Sequence, residues 1–227
     1  MKVLKSQTKH RILIVDDHPM MRQSLAQLID HEKDMATLGE AATASQALNF
    51  IVARKPDLVI VDISLPDKSG LELIKDIKVF QPDLPVLVFS MHDEGLYAER
   101  VLRAGGRGYI MKQEGGKKLM EAIRQVLGGQ IYVSEKVSSK ILEIFSGKRA
   151  DANHSPVGRL SDREFEVFQM VGEGKGTRDI AAALHLSVKT VEVHRSNIKK
   201  KLALKNGTEL VHFAIRWLEV RGQPPAE

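Results

Sequence analysis

The chain has 227 residues, enough for two modest domains each with its own core, and an ordinary composition for a globular protein. It has no cysteine, which excludes disulfides and thiolate metal sites and fits a reducing cytoplasm; no apolar run approaches the ~18 residues of a membrane span, so neither a membrane span nor secretion is expected. The net charge of +5 is uneven: residues 1–133 carry 18 Lys and Arg against 17 Asp and Glu, whereas residues 134–227 carry 16 against 12.

In chain order, Arg11–Val15 is an apolar run that ends in Asp16 and Asp17 and reads as a strand. Pro19 suits a helix start, and Met21, Leu25, Leu28 and Ile29 recur at helical spacing. A weaker strand is expected at Ala36–Ala41 and a helix at Ser45–Ala53. Leu58–Val61 is a continuous aliphatic run stopped by Asp62, the pattern of a parallel strand buried on both faces. A loop with Pro66 and Gly70 leads to a helix over Leu71–Phe80. Pro85–Ser90 and Gly108–Met111 are the fourth and fifth strands, followed by helices over Glu94–Ala104 and Lys117–Leu127. Such alternation predicts repeated strand–helix units, whose right-handed crossovers bring every strand's C-terminal end to one edge.

That edge collects Asp16, Asp17, Asp62, Ser90 and Lys112. Each alone reads as a turn or surface residue; together they describe chemistry. Carboxylates about 4 Å apart repel by about 4 kcal/mol per pair at an effective dielectric near 20, so a cation is expected among them. All-oxygen donors favour Mg²⁺ or Mn²⁺. A divalent ion, one aspartate left as nucleophile and a lysine to meet an anion make a phosphoryl-transfer site with an aspartyl phosphate intermediate. Ser90 could hydrogen-bond a phosphoryl oxygen, whose charge is enough to draw a loop inward.

Asp16-Asp17 with His18-Pro19, Asp62 with Leu65-Pro66 and Ser69-Gly70, Phe89-Ser90, and Gly108-Tyr109 with Lys112 resemble the receiver domain of a two-component response regulator, over residues 10–130. The resemblance implies a doubly wound five-stranded parallel sheet in the order 2-1-3-4-5. It implies Asp62 as phospho-acceptor, Asp16, Asp17, Asp62 and the Ser64 carbonyl as ligands of Mg²⁺ (or Mn²⁺), Ser90 as switch hydroxyl, Lys112 as phosphoryl partner, and Tyr109 as the aromatic that reorients with the hydroxyl. Many receivers have Pro after the lysine; here it is Gln113. Ser64, Met91 and His92 stand where they can shield or guide attacking water. An enzyme of the haloacid-dehalogenase type also uses a strand-end Asp and Mg²⁺, but it wants a second Asp where this chain has Ser64.

Gly128-Gly129 ends the last helix of this part. Residues 131–158 read as a connection, with a short amphipathic helix over Glu135–Phe145 and a flexible stretch over Gly147–Arg159. Beyond it, Ser161 with Glu164 three residues on is a capping box, with Leu160 just before it and Phe165, Phe168 and Val171 marking an inner face. Thr177 is expected to cap a second helix with Ile180, Ala181 and Leu184 inside, and Ser187 a third over Val188–Leu202. Ser187–Lys205 holds six basic residues (Lys189, Arg195, Lys199, Lys200, Lys201 and Lys205) against Glu192 alone, an electrostatic footprint for nucleic acid. Helical geometry puts Val188, Val191, Ile198 and Leu202 inward and Lys189, Val193, Ser196, Asn197 and Lys200 outward. Gly207–Arg221 is a last helix with a wide apolar face.

Leu160-Ser161-Asp162-Arg163-Glu164, Leu186-Ser187-Val188-Lys189-Thr190-Val191, His194 and Ile198 resemble the LuxR-type helix-turn-helix domain over residues 159–222. With the receiver, this places the chain among the NarL/FixJ-class response regulators: an α/β domain followed by an all-α four-helix domain. The resemblance implies phosphate contacts to double-stranded DNA from Thr190, His194 and nearby lysines such as Lys200, and base-edge readout by Lys189, Glu192 and Val193; Ser196, on the same outward face, is a further DNA-contact candidate. Glu192 replaces a common Lys, and a carboxylate accepts from cytosine but cannot grip guanine. The implied protein is no enzyme beyond slow loss of its own phosphoryl group. It is a cytoplasmic transcription regulator served by a sensor histidine kinase, dimeric when phosphorylated or DNA-bound, with no membrane partner.

Overall fold

The computed structural model describes residues 9–139 and 156–222. The chain divides into two compact units, residues 1–142 and 143–227. Among the described residues of the first, five strands alternate with α-helices: β1 His10–Val15, α1 Pro19–Asp30, β2 Met35–Ala41, α2 Ala44–Arg54, β3 Leu58–Val61, α3 Gly70–Phe80, β4 Val86–Ser90, α4 Glu94–Arg103, β5 Gly108–Met111 and α5 Gly115–Leu127. All pairings are parallel, in the order β2-β1-β3-β4-β5. β1 and β3 are therefore neighbours although a strand and two helices separate them in sequence, with Val15 opposite Val61. This is the topological switch point, where open α/β sheets form their crevice.

The continuous aliphatic runs become fully buried strands: every residue of β3 and β4 is inside. Alternate residues face opposite layers. Ile12, Ile14, Leu58, Ile60, Leu87 and Phe89 meet Leu25 and Ile29 of α1 and Leu119, Ile123 and Val126 of α5. Each such side chain contributes about 1.5–3 kcal/mol by leaving water. Leu28, expected on the inner stripe of α1, is instead 43% exposed. It lies one position before Ile29, which takes the core slot, and it faces Gly116 at the start of α5.

Among the described residues the second unit has four α-helices: α6 Asp162–Gly172, α7 Thr177–Ala183, α8 Val188–Lys201 and α9 Gly207–Gly222. The capping box forms as expected, with Glu164 accepting from the Ser161 amide at 2.8 Å and Ser161 accepting from the Glu164 amide at 3.4 Å. Thr177 is not the cap of α7 but its first residue. Gly176 takes the cap position, and the Asp179 carboxylate accepts its amide at 3.2 Å. α9 lies on α6: the Trp217 ring stands edge-on to Phe165 and Phe168 at 5.7 and 5.5 Å. Trp217 thus closes its own unit's core. A Cβ at Gly172 would come within 2.8 Å of the Ala214 carbonyl, so this crossing requires glycine.

Residues 135–139 are helical; the rest of the helix expected to Phe145, and the flexible stretch through residue 155, lie outside the described residues. Among those described, no helix is long and apolar enough to cross a membrane.

Candidate functional site

The carboxyl edge of the sheet holds its acids by extending the ladder one residue past each strand. The Asp16 amide donates to the Ala41 carbonyl at 3.1 Å and the Asp62 amide to the Val15 carbonyl at 2.8 Å. Both side chains are buried, and between them lies Lys112, whose Nζ donates to Asp16 Oδ2 and to Asp62 Oδ2 at 2.6 Å each. The other oxygen of Asp62 accepts from Ser90 Oγ at 2.7 Å. Burial by itself would lower the Lys112 pKa, but Asp62 and Asp16 outweigh it and hold the ammonium above the ordinary lysine value. Lys112 is therefore charged at neutral pH.

Four residues remote in sequence, Asp16, Asp62, Ser90 and Lys112, thus meet in one hydrogen-bonded set. Asp17 stands beside them, and His18 joins them from the rim, its Nδ1 2.7 Å from Asp17 Oδ1 and 3.3 Å from Asp16 Oδ1. Donor atoms of Asp16, Asp17, His18 and Asp62 all lie within 4.8 Å of one another. Three carboxylates against one ammonium leave this cluster short of positive charge, a donor set that fits a divalent cation. Arg22 braces the acid pair from behind, donating to the Asp16 carbonyl at 2.6 Å and pairing with Glu40 at 3.2 Å.

The loop after Asp62 turns back sharply: the Gly70 amide reaches the Ile63 carbonyl at 2.8 Å, and a Cβ at Gly70 would sit 2.2 Å from the Asp62 carbonyl. Only glycine fits there. Ser64 Oγ meets His92 Nε2 at 2.9 Å, so a hydrogen bond bridges the loops after β3 and β4. The His92 carbonyl in turn accepts from the Tyr109 hydroxyl at 2.9 Å, while the His92 ring lies against Tyr97. Tyr109 is fully buried, and that burial pushes its phenol above the usual range. Met91 projects into solvent. After Lys112 the chain makes a 3-10 turn over Lys112–Glu114, with no cis peptide among the described residues, so the lysine reaches the pocket with Gln113 in place of Pro.

Sequence reasoning missed the role of the segment after α5. Residues 131–134, expected to begin the connection, return along the outer edge of β5. The Tyr109 amide donates to the Tyr132 carbonyl at 2.8 Å, the Tyr132 amide to the Arg107 carbonyl at 3.0 Å, and the Ser134 amide to Glu94 Oε1 at 2.7 Å. The available signal is the run Ile131, Tyr132, Val133, which is short but strand-like.

In the second unit α7 and α8 are joined by a four-residue turn. His185 takes φ 52°, and the Leu186 amide returns to the Ala181 carbonyl at 2.8 Å, a Schellman ending. Ser187 caps α8, accepting from the Thr190 amide at 3.0 Å, and its hydroxyl also bonds Thr190 Oγ1 at 2.7 Å. Val191, Ile198 and Leu202 are buried as expected, but Val188, expected inward, is 42% exposed because the first turn projects beyond the small core. Lys189, Glu192, Val193 and Lys200 are exposed, and Thr190, His194, Ser196 and Asn197 half-buried. Lys201, counted in the basic stripe, instead donates to Glu164 Oε2 at 2.6 Å and ties α8 to the cap of α6.

A doubly wound sheet with an acid-rich crevice at its switch point, followed by a basic helix-turn-helix, defines a DNA-binding response regulator. Residues 12–124 match the family described as response regulator receiver domain, and residues 158–214 match the bacterial regulatory proteins of the luxR family. The oxygen regulatory protein NreC of Staphylococcus carnosus is 34% identical over 91% of this chain and 97% of its own length, and NreC of Staphylococcus aureus is 36% identical over the same shares. RcsB of Salmonella enterica serovar Typhimurium, solved on promoter rprA with the phosphomimetic BeF3-, is 26% identical, covers 92% of this chain and 99% of its own, and superposes with a TM-score of 0.61. A LuxR-family two-component response regulator from Aurantimonas sp. SI85-9A1 is 31% identical over 61% of this chain and 99% of its own, with a TM-score of 0.57. The chain belongs to the two-component response regulators of the NarL/FixJ class, which join a receiver domain to a LuxR-type DNA-binding domain.

Proposed function

We propose that Asp62 accepts a phosphoryl group from a partner sensor histidine kinase and that this event controls binding of double-stranded DNA by α8. The observation that carries the assignment is the hydrogen-bonding of Asp62: one oxygen is held by Ser90 and the other by Lys112, which orients the carboxylate and surrounds it with groups that can pass to a phosphoryl oxygen. An Asp62 oxygen attacks phosphorus, the P–N bond to the kinase histidine breaks, and the electron pair leaves on the imidazole nitrogen. Asp16, Asp17, Asp62 and the Ser64 carbonyl would hold Mg²⁺ or Mn²⁺, which supplies neutralisation of the phosphoryl oxygens. Lys112 and Ser90 then follow the added charge, giving up carboxylate contacts for phosphoryl ones.

Because Tyr109 is hydrogen-bonded to the loop that begins at Ser90, movement of that hydroxyl is felt at Tyr109, at α4 and at residues 131–134. The Ser64–His92 bridge joins the loops that follow Asp62 and Ser90, where it would hinder attacking water and keep self-dephosphorylation slow. On DNA, Lys189, Glu192 and Val193 read base edges, while Thr190, His194, Ser196 and Lys200 contact the backbone. Two subunits bind together, a reading supported by the solved structure of two RcsB dimers bound to two parallel DNAs, and the regulator acts in the cytoplasm. The test is Mg²⁺-dependent labelling by acetyl phosphate. The wild-type chain should be labelled and Asp62→Asn should not; a labelled Asp62→Asn would remove the assignment.

A further inference from the structure

His18 contributes a nitrogen donor to a site whose strand-end residues alone offer only oxygen. It occupies the cap position of α1 with extended backbone, φ −84° and ψ 110°, yet its side chain makes no capping bond to the helix. Instead its amide donates to Asp16 Oδ1 at 2.8 Å, and its ring lies over the acid pair, Nδ1 2.7 Å from Asp17 Oδ1. Lys112 approaches Asp16 through Oδ2 and His18 through Oδ1, so the two bases flank the carboxylate from different sides. Two trans donors on one ion with bonds of about 2.2 Å stand about 4.4 Å apart. Donor atoms of Asp16, Asp17, His18 and Asp62 already lie within 4.8 Å of one another, close to that separation.

We propose that His18 is an inner-sphere ligand of the cation in the receiver pocket, and that its imidazole shifts the site's preference from Mg²⁺ toward first-row transition ions. The inference rests on the phospho-acceptor reading and deepens it. Mg²⁺ takes oxygen donors and gives up water reluctantly, so an added imidazole contributes little to its binding. Mn²⁺, Ni²⁺ and Zn²⁺ accept nitrogen, with affinity rising along the Irving–Williams order. The side chain is 66% exposed, so the nitrogen can turn toward an ion without leaving a core position. The phosphorylated regulator would then carry different ions according to which divalent metals surround it.

The test uses the full chain and the metals alone. With Mn²⁺ below one equivalent, electron spin-echo modulation should show coupling to one imidazole ¹⁴N, absent in His18→Ala. By titration calorimetry, His18→Ala should weaken Ni²⁺ at least tenfold and change Mg²⁺ less than twofold. Mn²⁺ bound without nitrogen coupling overturns the proposal, as does a loss in His18→Ala that is equal for Mg²⁺ and Ni²⁺, because a residue that only steadies Asp17 would act on both. Asp17→Asn separates the two readings. If Mn²⁺ binds it as tightly as wild type, the acid-pocket reading itself fails; if Mn²⁺ needs Asp17 but shows no nitrogen, only the role of His18 fails.

Discussion

The side chain on which the pocket turns is Lys112. It is the only ammonium bonded to Asp16 and Asp62 among the described residues, and both acids are buried. Removing one partner of such a set leaves uncompensated charge in a low-dielectric site, which costs about 3 kcal/mol. Lys112→Met should therefore lower receiver stability by about that amount, measured by urea unfolding, and abolish acetyl phosphate labelling. Added Mg²⁺ should restore more stability to this variant than to wild type, because the ion takes over the role of the lost cation. A variant as stable as wild type would mean that the acids are not held apart by this lysine. A second residue-scale case is Glu164. Burial would raise its carboxyl pKa, but the bonds from Lys201 and Ser161 outweigh this and hold it below the ordinary glutamate value. A depressed folded-state value means the contribution is complete above the unfolded pKa and lost as pH falls through the folded one. The melting temperature of the second unit should fall on acidification below about pH 4.3, and Glu164→Gln should flatten that slope; an unchanged slope would remove Glu164 as its source.

At the scale of elements, helix endings show what local sequence can and cannot dictate. The capping box at Ser161 and the cap at Ser187 are legible because serine at a helix start has one strong local use. The Schellman ending of α8 is not, because Ala203 occupies the position where glycine normally signals it: φ is 54°, and the Leu204 amide returns to the Lys199 carbonyl at 2.9 Å. Left-handed backbone costs alanine about 1–2 kcal/mol, part of which glycine loses again through unfolded-state entropy. Ala203→Gly should then stabilise the second unit by about 0.5–1 kcal/mol in thermal unfolding, and destabilisation would contradict the assigned backbone. The strands are legible because β1, β3, β4 and β5 are largely buried on both faces and read as aliphatic runs. Residues 131–134 are harder to read because a single edge bridge needs only one face and leaves a short signal. Val188 and Leu28 depart from expectation for a related reason: periodicity says which face a residue is on, not how far the core extends along the helix.

For the molecule as a whole, the pocket residues can be read from strand ends because parallel topology brings those ends to one edge, whatever their distance in sequence. His18 is not legible in the same way, since a histidine beside two aspartates has many uses and only the folded chain brings its Nδ1 to both acids. Nor can a charge count tell a solvated lysine from Lys201, which is bonded to Glu164. In the proposed function the regulator works by coupling: Asp62 lies in one unit and α8 in the other, and phosphorylation of the first must change the second. Such coupling between sites is typically 1–3 kcal/mol, roughly 5- to 150-fold in affinity. The direct measurement is the affinity of the full chain for its selected DNA site at fixed salt, with and without acetyl phosphate and Mg²⁺, in wild type and Asp62→Asn. The account predicts an affinity change of about fivefold or more in wild type and none in the variant. Equal affinities in wild type with and without the donor, while Asp62 is shown to be phosphorylated, would contradict it.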